Sequence, residues 1–402
     1  MPLRVGFVDN SDWDYHVDTV DERPLGGSQS AACYLARGLA KTNPGIYFLT
    51  NVSGPATRRS GVECRNWKRM SMEEARDLAL DVVVCLHNAA LGPLAREIFG
   101  ARKCVLWTQH AHDQAAVQPL SDPACRDAFD AVVMVSDWQR GEFTRRFGLD
   151  PQRVVVRRNA VAPAFESTSG DRSVLAEKSR DPTLVYTSTP FRGLDILLDA
   201  WPAIHASHPN ARLRIFSSMQ VYQATAAADE AAYGALYRRC RETAGVEYRG
   251  STSQVTLAQE LRTATMLAYP NTFPETSCIS VMEALASGCI VVTSDLAALP
   301  ETTAGFARLI APNDDRAAFT SAFAGATIEA LRARGERPEE VASSLRDQLR
   351  YADEHLKWSL RAGEWMAWLE ALCGHALAAR SPGVIARSLK RWRSPAGRKP
   401  EG

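Results

Sequence analysis

Six short runs rich in β-branched residues, LRVGFVD, GIYFLTN, DVVVCLHN, KCVLWTQ, AVVMVSD and RVVVRRNAV, punctuate the first 165 residues, with helical segments such as SQSAACYLARGLAKT and WQRGEFTRRFG between them. Near-continuous apolar strands alternating with amphipathic helices predict a parallel, doubly wound sheet covered on both faces. The pattern then restarts. Past the polar segment 166–182, six more strand candidates follow: TLVYTST, ARLRIFSS, GVEYRGS, TMLAYPN, CIVVTSD and ARLIAPN. A chain of 402 residues exceeds what one hydrophobic core usually supports. The repeat therefore predicts two α/β domains, 1–165 and 183–350, joined by a linker at 166–182. Beyond residue 350 strand-like runs stop. Leu356, Trp358, Trp365, Trp368 and Leu372 recur there at broadly helical spacing, which predicts a helix at about 353–376 packed across the domain junction.

Composition narrows the function. Apolar residues make up 46% and charged residues 23%, ordinary globular usage without the uninterrupted apolar run of a membrane span. The N-terminus enters a strand directly, without a basic start and long apolar stretch, so a cytoplasmic location is expected. Nine scattered cysteines without a C-x-x-C pair disfavour zinc and disulfide frameworks. A net charge of +1 argues against nucleic acid as a partner. Only the tail is biased: from Arg380 onward there are seven basic residues and one acid. A loosely ordered basic tail at 380–402 is expected, with weak attraction to an anionic membrane as the sharper alternative.

Two doubly wound domains create a cleft where the carboxyl ends of their strands face one another, the usual ligand position in open α/β sheets. The dinucleotide fingerprint G-x-G-x-x-G is absent, which weakens a nicotinamide or flavin reading. Gly26 and Gly27 instead open a helix after a long loop. They let a backbone approach a ligand closely at free helix-start amides, although the same pair suits a plain turn before Ser28. In the second half, YTSTPFRGLDILLDAW carries Arg192 and Gly193 at a helix start. A cation there opposes the helix dipole unless an anion lies between them, which points to phosphate; the alternatives are a solvent-exposed Arg192 or a pair with Asp195.

The stretch FPETSCISVMEALASG places Glu275 ahead of a helix, with Thr276 or Ser277 as the expected N-cap, and Glu283 inside it. At 1.5 Å of rise per residue the two carboxyl groups stand about 10 Å apart, too far to share a proton or a metal. They suit the two ends of one long ligand, with the amides of Thr276, Ser277, Cys278 and Ile279 between them. Carboxylates accept from hydroxyls and helix-start amides take phosphate. A hydroxyl-phosphate-hydroxyl ligand is a nucleotide sugar.

The element ETSCISVMEALASGCIVVTSD resembles the E-x7-E element of retaining GT-B glycosyltransferases of family 4, and LAALPET resembles that family's downstream loop ending in a glutamate, here Glu301. With the glycine pair, the segment closing the first domain and the C-terminal helix, the likeness runs in order over roughly residues 3 to 375. It implies two Rossmann-like domains facing across a cleft, with the last helix crossing back to the first domain. By position it places Glu275 on the donor sugar, Glu283 on the ribose and Arg192 on the donor diphosphate. The family's histidine near the sugar and acceptor matches His110, with His112 second. The chain departs from the pattern at Ser188 or Thr189, where a basic residue is usual, and at TSC, which replaces a common G-F-G. The expected reaction moves a hexose from a UDP-sugar or GDP-sugar to an acceptor hydroxyl with retention. No divalent metal or further cofactor is expected, and Glu275 and His110 are nearest the chemistry. The alternative is a non-catalytic nucleotide-sugar-binding protein or partner subunit.

Overall fold

The computed structural model describes residues 2–169 and 172–374. The basic tail and the last two positions of the expected crossing helix lie outside them. The first domain is built on an eight-stranded sheet: β1 (Val5–Val8), β2 (Ile46–Thr50), β3 (Thr57–Arg59), β4 (Val62–Asn66), β5 (Val82–Leu86), β6 (Lys103–Trp107), β7 (Ala131–Met134) and β8 (Val154–Val156). Its order is β3-β4-β2-β1-β5-β6-β7-β8, parallel except where β3 pairs antiparallel with β4. The six expected strands are present, and the β3–β4 pair extends one edge. Strands β1, β2, β5 and β7 are buried along their whole length, as a sheet covered on both faces requires.

The second domain has six parallel strands, β9 (Thr183–Tyr186), β10 (Arg212–Ile215), β11 (Val246–Tyr248), β12 (Met266–Tyr269), β13 (Ile290–Ser294) and β14 (Ala307–Ile310). Their order is β11-β10-β9-β12-β13-β14. In each sheet the chain works outward from a central strand and then crosses to the other side: between β1 and β5 in the first, between β9 and β12 in the second. Such reversals leave a crevice at the strand ends.

The expected linker is not a loose connector. Residues Pro163–Ser169 and Arg172–Leu175 are helical, with Phe165 and Val174 fully buried. The return crossing runs beside it. Val161 bridges to Lys357, Val161 N donates to Leu356 O at 3.1 Å, and Trp358 N donates to Glu166 Oε1 at 2.9 Å. The helix Pro338–His355 ends just before this junction and the helix Trp358–Leu372 begins just after it, packed on the first domain. There the Trp365 ring lies 4.9 Å from that of Trp107 and 6.4 Å from that of Phe7. A Cβ on Gly38 would stand 3.0 Å from Ala362 Cβ, so glycine in the helix Gly27–Ala40 lets the two helices approach closely.

Trp365 is fully buried. Its replacement by alanine is expected to cost about 3–5 kcal/mol, read as an earlier urea transition of the first domain by tryptophan fluorescence; an unshifted transition would mean the crossing helix contributes little there.

Candidate active-site cleft

A cavity of about 200 Å³ lies between the domains. Its lining follows the carboxyl ends of strands from both sheets. From the first domain come Gly26 and Gly27, Gln109 after β6, and Ala160 and Ala162 after β8; from the second come Thr187, Ser188, Thr189 and Arg192 after β9, Ser218 and Tyr222 after β10, Ser251 and Thr252 after β11. The loop after β12 and the helix Ile279–Ala286 supply Glu275, Thr276, Ser277, Cys278, Ile279 and Glu283. A second cavity of about 290 Å³ shares Ser28, Gln109, Arg192, Tyr222, Glu275 and Thr276 with the first, and adds His110, Trp13, Phe191 and Phe273.

Arg192 and Glu275 flank the crossover between β9 and β12 and hold each other. Arg192 Nη1 donates to Glu275 Oε1 at 2.8 Å, Tyr269 OH donates to the same oxygen at 2.6 Å, and Arg192 Nη2 donates to Tyr222 OH at 3.2 Å. The guanidinium also lies 4.6 Å from the Phe273 ring centroid and 5.3 Å from that of Phe191. Burial works against the charge on Arg192, but Glu275, Tyr222, Tyr269 and Cys278 together outweigh it and hold the pKa well above the usual value. Both sequence-based alternatives for Arg192 are thereby corrected: it is half-buried and paired with Glu275, while Asp195 pairs with Arg316 at 2.6 Å.

The helix start differs from expectation in one respect. Cys278, not Thr276 or Ser277, occupies the cap position, without a side-chain cap bond. Thr276 Oγ1 instead donates to Gln109 O at 2.7 Å, across the cleft, and Ser277 Oγ is buried without a partner. The amides of Thr276, Ser277, Cys278 and Ile279 have no acceptor among the described residues. Directly opposite is the start of the helix Gly27–Ala40. A Cβ on Gly27 would lie 3.2 Å from Ile279 Cδ1, and one on Gly26 3.0 Å from the Tyr222 ring. Two helix N-termini, both able to attract an anion, thus meet across the gap.

Glu283 is 3% exposed and faces the cavity without a hydrogen-bond partner among the described residues. Burial raises its pKa to about 8. Where a basic residue was expected, Ser188 Oγ shares a hydrogen bond with Tyr269 OH at 3.3 Å, and the Thr187 and Thr189 hydroxyls are buried without partners among the described residues. His110 reaches the second cavity with Nδ1 buried and unpartnered; burial lowers its pKa, partly offset by the His87 backbone and Asp9.

Two sequence candidates line neither cavity. Gly193 has φ 99°, and a Cβ there would meet Pro270 O at 2.0 Å, so its glycine serves close packing of two loops. His112 turns toward the helix Asp137–Phe147, 3.8 Å from Glu142 Oε2 and with its ring 6.3 Å from that of Trp138. Glu301 also plays a part that its position in the sequence does not reveal. From the second domain it accepts Asp137 N at 3.0 Å and Trp138 N at 3.1 Å, and it pairs with Arg158. It therefore caps a helix of the first domain.

Residues 181–327 match the family model described as glycosyl transferases group 1. No curated protein sequence matches the chain. Among solved structures, a glycosyltransferase from Rickettsia africae is similar with a TM-score of 0.67 and 12% identity, over 93% of this chain and 99% of its own. Sucrose-phosphate synthase from Thermosynechococcus elongatus gives 0.67 and 14%, covering 93% and 100%. HepE of Anabaena, solved with UDP and glucose, gives 0.64 and 14%, covering 92% and 100%. The chain has the GT-B fold, and its second domain carries the group 1 glycosyl transferase domain.

Two measurements test the electrostatics. Arg192→Ala and Glu275→Gln should each cost of order 3 kcal/mol by leaving a buried partner unmatched, and the double variant should cost less than their sum; strict additivity in denaturant melts would dissolve the pair. Glu283 holds its proton more tightly folded than unfolded. Its penalty is thus absent below about pH 4.5, builds as pH rises and is complete above about pH 8. Glu283→Gln should match the wild-type Tm near pH 4 and exceed it at pH 8.

Proposed function

We propose that the protein is a glycosyltransferase that moves a hexose from a nucleoside diphosphate sugar to an acceptor hydroxyl, with retention and without a metal. One observation carries this reading: unpaired helix-start amides lie between a carboxyl group tied to an arginine and a second carboxyl group deeper in the same cavity. Amides suit the diphosphate, and the two carboxyl groups suit hydroxyls at either end. Glu283 would take the ribose, and the sugar would lie toward Glu275, Thr276 and His110, where the second cavity opens. HepE, with its bound UDP and glucose, makes UDP-sugars the first donors to try.

In this reading the bond between the anomeric carbon and the β-phosphate oxygen breaks with its electron pair going to phosphate. Arg192 and the amides of residues 276 to 279 stabilise that charge where it develops. To reach phosphate, Arg192 shifts part of its bonding from Glu275, and Glu275 then accepts sugar hydroxyls in its place. Attack from the same face brings the acceptor oxygen beside the leaving oxygen, which receives the acceptor's proton. His110, neutral through burial, orients the sugar or acceptor. Thr276 with Gln109, and Glu301 with the helix Asp137–Phe147, hold the domains together over the site. Closure excludes water from the reacting bond.

A non-catalytic donor-binding protein is the second reading, favoured by hydroxyls at Ser188 and Thr189 and by an Arg192 already neutralised. Incubation with UDP- and GDP-sugars in EDTA separates the two. The transferase should slowly cleave one donor, Arg192→Ala should lower turnover roughly 10²–10³-fold, and Glu275→Gln should lose turnover while keeping nucleotide affinity. Binding without cleavage, with diverse acceptors supplied, selects the second reading.

A further inference from the structure

The crossover of the first sheet, between β1 and β5, is flanked by Asp9 and His87, the residues immediately following those two strands. His87 is a costly residue at this edge. Asn88 N donates to Leu86 O at 2.7 Å, closing a three-residue turn around His87 with φ at 66°. A γ-turn of this sign is rare and strained, and costs a non-glycine residue of order 1–3 kcal/mol. The ring is also 95% buried by its 5% exposure, and neither ring nitrogen has a hydrogen-bond partner among the described residues. Glycine would relieve the turn, and an apolar side chain would remove the orphaned nitrogens. An imidazole held against both preferences points to function.

Its neighbour identifies that function. The His87 and His110 rings lie 5.6 Å apart between centroids, tilted by 49°, and His110 is the one that reaches the cavity. Thr108 Oγ1 accepts the His110 amide at 3.2 Å, and Gln139 Nε2 donates to the His110 carbonyl at 2.8 Å, so the backbone of His110 is fixed, and its ring is held by the His87 backbone and packed beside the His87 ring. Asp9 is also held, by Tyr15 OH at 2.6 Å and Ser11 N at 2.8 Å, and its charge acts on both imidazoles. Burial drives the His87 pKa to about 4, with Asp9 opposing and His110 assisting, so near neutral pH a neutral ring backs His110.

We infer that His87 is a positioning residue: its strained turn holds the His87 backbone and buried ring against His110 and so sets the orientation and tautomer of His110 at the cavity. The kinetic part of the test rests on the transferase reading, whereas the spectroscopic part does not. With ¹⁵N-labelled histidine, the His110 ring signals among the eight histidines are assigned by their loss in His110→Gln. Wild-type His110 should show one tautomer, and His87→Gly should draw its two ring nitrogen shifts together as tautomers mix. In parallel, hydrolysis of UDP-glucose and GDP-mannose should slow roughly 10–10²-fold in His87→Gly, as misplacement of a site group does, with UDP and GDP affinity retained. His87→Asn, which tolerates a positive φ and keeps a polar group, should recover part of the loss, and it carries both readouts if the glycine variant fails to fold. Unchanged His110 signals in the variant overturn the inference, as does unchanged donor cleavage where the wild type is active. A wild type that cleaves neither donor counts against the transferase reading for those donors, and the tautomer measurement still decides the role of His87.

Discussion

Every strand of a parallel sheet delivers its following loop to the same edge, and two such sheets set edge to edge concentrate those loops in one gap. This polarity accounts for the cleft. Residues far apart in the chain, from Gly26 after the first strand to Glu283 beyond the twelfth, meet only because both sheets point their carboxyl ends inward. The helix Trp358–Leu372 makes the arrangement durable. Its tryptophans bury against the first domain after the chain has completed the second, so the two domains are joined by paired crossings rather than a single tether.

The local layer was legible in the sequence. Apolar runs located the strands of both central sheets, and the helix-start amides and the carboxyl groups around them could be read from FPETSCISVMEALASG. The β3–β4 pair was not, because TRR and VECRN carry the charges typical of an exposed edge and lack a continuous apolar signal. For Thr276 the N-cap expectation failed for a tertiary reason: its hydroxyl is committed to Gln109, 167 positions away. Local capping preference cannot anticipate a partner in another domain. Nor could it reveal that Arg192 and Glu275, 83 positions apart, would neutralise one another. His87 was hidden differently, at the end of the strand-like run DVVVCLHN, where nothing in the pattern indicates a positive φ.

Two contacts between the domains share a common form. Glu301 offers its carboxylate to the first amides of a helix in the other domain, and Thr276 offers a hydroxyl to a carbonyl there. Both are small polar bonds rather than apolar seams. Bonds of this kind contribute modestly when partly solvated, so they can hold a closed arrangement without making it permanent.

Under the proposed function, the Arg192–Glu275 pair also governs which anions the cleft ignores. A cavity whose arginine has its own counter-charge, and whose deeper carboxyl group is mostly protonated at neutral pH, adds little side-chain charge to the field of its two helix starts. Inorganic phosphate finds an arginine already engaged and gains little by displacing a glutamate that it cannot satisfy. A ligand carrying phosphate and hydroxyls together can take both partners at once. Recognition then works as a coincidence test in which neither chemical group is sufficient alone.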